Sequence, residues 1–269
     1  MAPPILDLPP KLWVPESPAI IRSATPEIIK PVLGITMLAR LSMVRAKRQA
    51  VASGPGYSNL AYVTGTNQVN NDSPYELPGV TLPAEAADRV LLAAIVWGGS
   101  SVSVSSFQWT TSASGTVSAT QIAHTTGANG GAAIYGLSVP TGTVSSGLVD
   151  MDAGSTLRLH GGFYTVNMSS LTPHDTDSAA VASGAGTLSS LTIPNNGFAL
   201  TACYLDDTTN RDHSINASYT EDNERYSEVN SAFSHREVTT AATDALTSTW
   251  TGSTSAGVMI GASFNGYGT

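Results

Sequence analysis

The sequence predicts an all-β protein: a single antiparallel β-sandwich preceded by an extended, proline-rich arm and one short helix. Prolines crowd the first 31 residues, short apolar runs separated by turn residues fill the rest, and helical periodicity is nearly absent from that larger part. The composition breaks at SGPGYSN, residues 53–59, which divides the chain into an arm, residues 1–53, and a body, residues 54–269.

In the arm, Pro3, Pro4, Pro9, Pro10, Pro15, Pro18, Pro26 and Pro31 each fix φ and push the preceding residue out of the helical region, so the segment is extended. Between them stand Leu12, Trp13, Ile20, Ile21 and Arg22. An ordinary linker is polar; these apolar side chains are too few for a core of their own and are expected to be covered by another protein. The plain alternative is a loose tail with a few adhesive residues. Near residues 34–50 the prolines stop. Leu33, Met37, Leu41 and Val44, at steps of four, four and three, mark one face of a short helix, with Arg40, Arg45, Lys47 and Arg48 on its other faces. A helix lying on a membrane would carry Trp or Phe on that apolar face, and this one carries neither, so docking on protein is the expectation.

In the body the strand candidates are Ser58–Val63, Arg89–Trp97, Val102–Trp109, Thr116–Ala123, Ala132–Val139, Thr156–Val166, Thr187–Ile193, Gly197–Leu205, Ser214–Tyr219, Tyr226–His235, Ala245–Trp250 and Gly257–Phe264. Alternation puts Val258, Ile260, Ala262 and Phe264 on one face of a strand, and Phe198, Leu200, Ala202 and Tyr204 on one face of another. RVLLAAIVW is apolar on both faces, as a central strand requires. GANGG (127–131) and IPNNG (193–197) supply the residues that tight turns need. One helical turn is expected at LPAEAADR (82–89), and no long internal repeat is evident.

The net charge of −8 conceals two regions of opposite sign. The first 50 residues hold seven Lys/Arg against three Asp/Glu, whereas the other 219 hold five arginines, no lysine and 17 of the 20 Asp/Glu. Such a body repels nucleic acid, because affinity for phosphate comes from basic side chains. Cys203, the lone cysteine, sits in the run FALTACYL and reads as a small buried hydrophobe, which excludes an intrachain disulfide framework. No stretch reaches the roughly 20 apolar residues of a membrane span. Prolines occupy the place of a signal peptide's apolar helix, so the chain is expected to be used without export.

Motifs for catalysis are missing. There is no Gly-x-Ser-x-Gly, no phosphate-cradling glycine loop and no HExxH, and His124, His160, His174, His213 and His235 are scattered. No cofactor and no enzymatic activity are expected. The best candidates for a site are two acidic stretches read as loops, LDDTTNRDH (205–213) and TEDNE (220–224). If they meet at one end of the body, Asp206, Asp207, Asp212, Asp222 and Glu224 offer oxygens to Ca²⁺, or a carboxylate pair for glycoside hydrolysis. The plainer reading is solvated hairpin tips. His174, Asp175 and Asp177 form a weaker third stretch. Aromatics able to act as sugar platforms, among them Trp97, Trp109, Tyr135, Tyr164, Tyr219, Tyr226 and Tyr267, are dispersed, and nothing in their spacing locates a sugar site.

The opening PPKLWVPESPAIIRSATPEIIKPVLG resembles the N-terminal segment of tailed-bacteriophage virion proteins, in which an LW-x-P…PAIIR run precedes β-rich bodies. The stretches DRVLLAAIVWGG, AAIYGLSVPTGT, LTIPNNGFALTACY and TDALTSTWTGSTSAGVMIGASF are similar to jelly-roll-like bodies of phage particle proteins. The resemblance implies an accessory virion protein, assembled in the bacterial host cytoplasm. Leu12, Trp13, Ile20, Ile21, Arg22, Leu33, Met37 and Leu41 would anchor the arm in a capsid or tail shell while the body projects outward. It also implies a homo-oligomer, with a trimer suggested by particle symmetry. The alternative within the same setting is a tail-fibre or tail-tip module that binds host surface glycans.

Overall fold

The structure, a computed structural model, describes residues 57–68, 73–152, 158–226, 229–243 and 245–265. All of these belong to one unit, Ala52–Thr269. The arm and its short helix lie outside the described residues. Among the described residues there are nineteen strands and no helix; the helical turn expected at 82–89 is replaced by coil and a turn. Arg89 accounts for that conformation. Its guanidinium, 2 % exposed, donates from Nε to Val139 O (2.7 Å), from Nη1 to Pro83 O (2.5 Å) and from Nη2 to Gly142 O (2.7 Å), tying two loops to one buried cation.

The first half of the body contains β1 (Tyr57–Gln68), β2 (Tyr75–Val80), β3 (Arg89–Gly98), β4 (Val104–Thr111), β5 (Gly115–Ser118), β6 (Thr120–Thr126), β7 (Gly130–Ser138), β8 (Val144–Met151) and β9 (Leu159–Met168). They form an inner sheet, β1-β9-β3-β7-β6, and an outer sheet, β2-β8-β4-β5. The second half contains β10 (Asp175–Val181), β11 (Ala185–Leu188), β12 (Thr192–Ile193), β13 (Phe198–Leu205), β14 (His213–Ile215), β15 (Thr220–Tyr226), β16 (Asn230–Glu237), β17 (Ala242–Thr243), β18 (Leu246–Trp250) and β19 (Gly257–Phe264). Their inner sheet is β10-β19-β13-β16-β15, their outer sheet β11-β18-β14, and β12 pairs with β17 as a short ribbon. Every pairing is antiparallel.

Strand periodicity divides the side chains among three cores. On β3, Leu91, Ala93, Ile95 and Trp97 join Phe107, Trp109 and Val149 between the first inner and outer sheets. The alternate residues Val90, Leu92, Ala94 and Val96 point the other way and meet Phe198, Leu200, Ala202 and Tyr204 of β13, together with Val258, Ile260, Ala262 and Phe264 of β19. The remaining face of β13, with Ala199, Cys203 and Leu205, packs on Leu188, Leu246 and Trp250. RVLLAAIVW is therefore buried on both faces between β9 and β7, as its sequence requires, and the two alternating runs of β13 and β19 share one core. Cys203 is buried and its thiol is pushed up to about 12 by burial.

The sequence suggested about a dozen strands around one core; the described body has nineteen around three, because it is built twice. Strand for strand in chain order, β1-β9-β3-β7-β6 repeats as β10-β19-β13-β16-β15, and β2-β8-β4 repeats as β11-β18-β14. Even the irregularity repeats: the ladder of β6 with β7 slips between Gln121 and Ala123, and that of β15 with β16 between Glu221 and Asn223. The inner sheets face each other with β3 on β13, β7 on β19 and β1 on β15.

Strands the sequence hid are mostly edge strands. β2, β10 and β15 each lie at the end of their sheet, and they carry Pro78, Asp175 and Asp177, and Glu221 to Glu224 respectively. Proline and charge are how natural sheets blunt their edges, and the same residues make an edge strand read as a loop.

Candidate functional site

The segment between β13 and β14 is fixed by two polar side chains. The Asp207 carboxylate, nearly buried, accepts from Thr209 N (2.9 Å), Arg211 Nε (2.9 Å) and Ser253 Oγ (2.7 Å). Burial alone would raise its pKa, but the hydrogen bonds from Ser253, Thr209 and Arg211 and the charge of Arg211 outweigh burial and lower it. Asn230, fully buried, donates from Nδ2 to Asp207 O and Thr209 O (3.0 Å each) and accepts at Oδ1 from Arg211 N (3.0 Å). Residues 206–212 thus form a pinned loop.

Beside this loop runs β15, and the two enclose a cleft of about 220 Å³ lined by Asn210, Asp212, Glu224, Arg225 and Tyr226. Tyr226, 39 % exposed, is the single exposed large hydrophobic side chain among the described residues. Its hydroxyl donates to Thr208 O, which fixes the ring against the loop. Glu224 Oε1 accepts from His213 N (3.1 Å). Burial first, then Glu221 and Asp212, raise its pKa, against the lowering effect of that backbone bond.

The five acidic candidates do not gather. Asp212 and Glu224 face the same cleft, Asp207 serves the loop, and Asp222 turns inward toward the junction of the halves. There the Asp222 carboxylate accepts from Tyr164 OH (2.8 Å) and bonds His235 Nδ1 (2.8 and 2.9 Å). Asp206 N donates to Ala256 O, a turn contact. Among the described residues no group of three or more His, Cys, Asp or Glu is arranged to hold a metal ion. The stretch TEDNE read as a loop is edge strand β15, and a slip in its ladder between Glu221 and Asn223 turns Asp222 away from Glu224. Asp175 and Asp177 likewise lie in β10, where each caps nearby backbone: Asp175 accepts from Thr176 N and Thr192 N, Asp177 from Ser178 N and Ser190 N.

Of the dispersed histidines, His213 lies between Glu221 (Nδ1, 2.5 Å) and Ser248 Oγ (Nε2, 2.6 Å), with its ring 4.6 Å from that of Trp250. His160 and Ser231 are in contact at 2.7 Å, and both are fully buried, out of reach of any substrate. The anchor candidates Leu12, Trp13, Ile20, Ile21, Arg22, Leu33, Met37 and Leu41 lie outside the described residues.

Sequence reasoning missed Asn210 and Arg225 and could not single out Tyr226. Nothing in their spacing sets them apart; the signal is solvent exposure, which comes only from the pairing of β15 with β16. Comparison of the chain with protein-family models, with curated proteins and with solved structures gives no match in any of the three.

Proposed function

We propose that this protein is a non-catalytic structural component of a tailed-bacteriophage particle, a capsid decoration or minor capsid protein held in the shell by residues 1–53. In this reading the body is a tandem pair of jelly-roll sandwiches displayed on the outside. If β5 and β6 count as one strand bent between the two sheets, the eight strands of the first half run 1-8-3-6-5 in the inner sheet and 2-7-4-5 in the outer, the double-Greek-key connectivity of a jelly roll. The second half follows the same order in its inner sheet and runs 2-7-4 in its outer one.

The observation that carries the proposal is the closure of the body. Three cores take up its apolar residues, and Tyr226 is the one large hydrophobic left exposed among those described. A body of this kind, acidic and lysine-free, stays soluble while projecting from a shell. The apolar, basic arm has the opposite character, that of a segment made to be covered. Burying Leu12, Trp13, Ile20 and Ile21 on a shell protein would contribute on the order of 1.5–3 kcal/mol each before ordering costs, and proline lowers those costs.

Imaging purified particles that carry a labelled copy of the chain tests the proposal. Label at regular positions on the head supports it; particles that lack the protein altogether exclude it. Label on the tail supports the second reading, a fibre or tail-tip module that binds a host surface glycan, which the cleft beside Tyr226 favours.

A further inference from the structure

We infer that the cleft formed by Asn210, Asp212, Glu224, Arg225 and Tyr226 is a saccharide subsite that takes one neutral pyranose ring. The inference deepens the receptor-binding reading and rests on it.

The charges in the cleft select the ligand class. Asp212 and Glu224 repel phosphate, sulfate and carboxylate ligands, while a calcium ion would need more oxygen ligands than two carboxylates supply. A neutral polyol uses all of these groups at once. The two carboxylates accept from hydroxyls, and the Asn210 amide donates to them. The apolar face of a sugar ring needs a flat, partly exposed aromatic beside such donors and acceptors, and Tyr226 is placed there with its hydroxyl already engaged by Thr208 O. A volume of about 220 Å³ suits one ring and lies below the roughly 300–1,000 Å³ typical of pockets for larger organic ligands.

The cleft is also preorganised. Asp207 and Asn230 hold the 206–212 loop through the buried bonds described above, so little ordering is left to be done on binding.

The internal repeat separates what the fold requires from what has been added to it. Thr120 pairs with Gly136 and Thr220 with His235, and the shared slip follows in both ladders. Continuing along them, Glu224, Arg225 and Tyr226 take the places of His124, Thr125 and Thr126. The same edge strand is thus formed in the first half with an imidazole and two threonines at these three positions. Glu224 and Tyr226 thus belong to the second half's surface and not to the architecture.

The test uses the full chain, titrated in ligand-observed saturation-transfer NMR with methyl glucoside, galactoside, mannoside and N-acetylglucosaminide, and with N-acetylneuraminic acid and glucose 6-phosphate as charged counterparts. The expected result is transfer to one or more neutral pyranosides and none to the charged pair, with the signal reduced at least tenfold in Tyr226→Ala and in Asp212→Asn. Tyr226→Phe, which keeps the ring, should retain most of it, and an unchanged thermal transition in each variant shows that the loss is local. Binding that survives Tyr226→Ala overturns the assignment to this cleft yet leaves the glycan-binding reading standing. Silence with every sugar overturns the subsite, and adsorption of the fluorescently labelled chain to host cells, before and after periodate treatment, then decides the receptor reading on its own.

Discussion

His160 on β9 and Ser231 on β16 meet at 2.7 Å, fully buried, where the two halves of the body face each other. His160 stands opposite Val96, and Ser231 opposite Tyr204. In the repeat, the positions that match His160 and Ser231 are Val258 and Ala132, both in the central apolar core. One side of the junction is thus polar where its counterpart is apolar. Ser231→Ala alone should cost about 1–3 kcal/mol, because it leaves a buried imidazole without its partner. The double change His160→Val with Ser231→Ala copies the apolar side and should return to within about 1 kcal/mol of the natural chain, since both members of the pair are replaced. Denaturant midpoints of the three chains check this.

The same histidine makes stability depend on pH. Burial, followed by the charges of Arg225 and Arg158, pushes His160 from its ordinary 6.5 down to about 4. Below 6.5 the unfolded chain takes up a proton that the folded chain refuses until about 4, so stability falls as pH drops through that window. At about 1.36 kcal/mol per pH unit the whole effect is on the order of 3 kcal/mol. The His160→Val, Ser231→Ala chain should lose this slope. His235 works in the other direction. Burial lowers its pKa, but Asp222 and then Glu237 outweigh burial and leave it raised. Its contribution is therefore complete below its unfolded value and fades as pH rises through the raised folded one, so His235→Asn should weaken the protein more at pH 5.5 than at pH 8.5.

Arg89 is the clearest single support of the first half. Its removal strands three carbonyl acceptors, at Pro83, Val139 and Gly142, and leaves Glu85 Oε1 accepting from Gly142 N as a remaining side-chain tie between the two loops. Arg89→Met should destabilise the body by at least about 3 kcal/mol, because three carbonyls each lose a charge-assisted hydrogen bond worth about 1.5–3 kcal/mol. Arg89→Lys should recover part of that and no more, because an ammonium cannot reach all three oxygens with the geometry of a planar fork. Equilibrium unfolding in urea gives both values.

Gly162 tests the fit between halves. A Cβ placed there would stand 2.8 Å from Phe233 Cγ across the junction, closer than packed atoms allow. Gly162→Ala should cost about 1–3 kcal/mol as an overpacked core position. Phe233→Leu in the same chain should relieve part of the clash, and a coupling measured by a double-mutant cycle would register it.

What the sequence made legible follows from how much apolar surface each strand carries. RVLLAAIVW, FALTACYL and VMIGASF announce themselves because both faces, or one alternating face, are buried, and each proved to be an inner-sheet strand. YELPGV, DTDSAAV and TEDNERY do not, because an edge strand has one unpaired side and carries proline or charge there. The internal repeat escaped notice for a related reason. The two halves share strand order and a slipped ladder, yet Val258 stands where the other half has His160 and Ala132 where it has Ser231, so the residue identities do not repeat. As for the site, the acidic residues were visible, but their grouping was not. Regular alternation would put Asp222 and Glu224 on one face; the slip between Glu221 and Asn223 in the ladder with β16 breaks it, sending Asp222 to the interior and Glu224 to the cleft.

The most direct measurement compares particle binding by the full chain with binding by a chain that begins at Gly54, mixing each with particles stripped of this protein and sedimenting the mixture. Both chains should show the same cooperative thermal transition, and only the full chain should sediment with the particles. Equal recovery of the shortened chain in the pellet would contradict the proposed anchoring, because attachment would then reside in the β body and not in the arm.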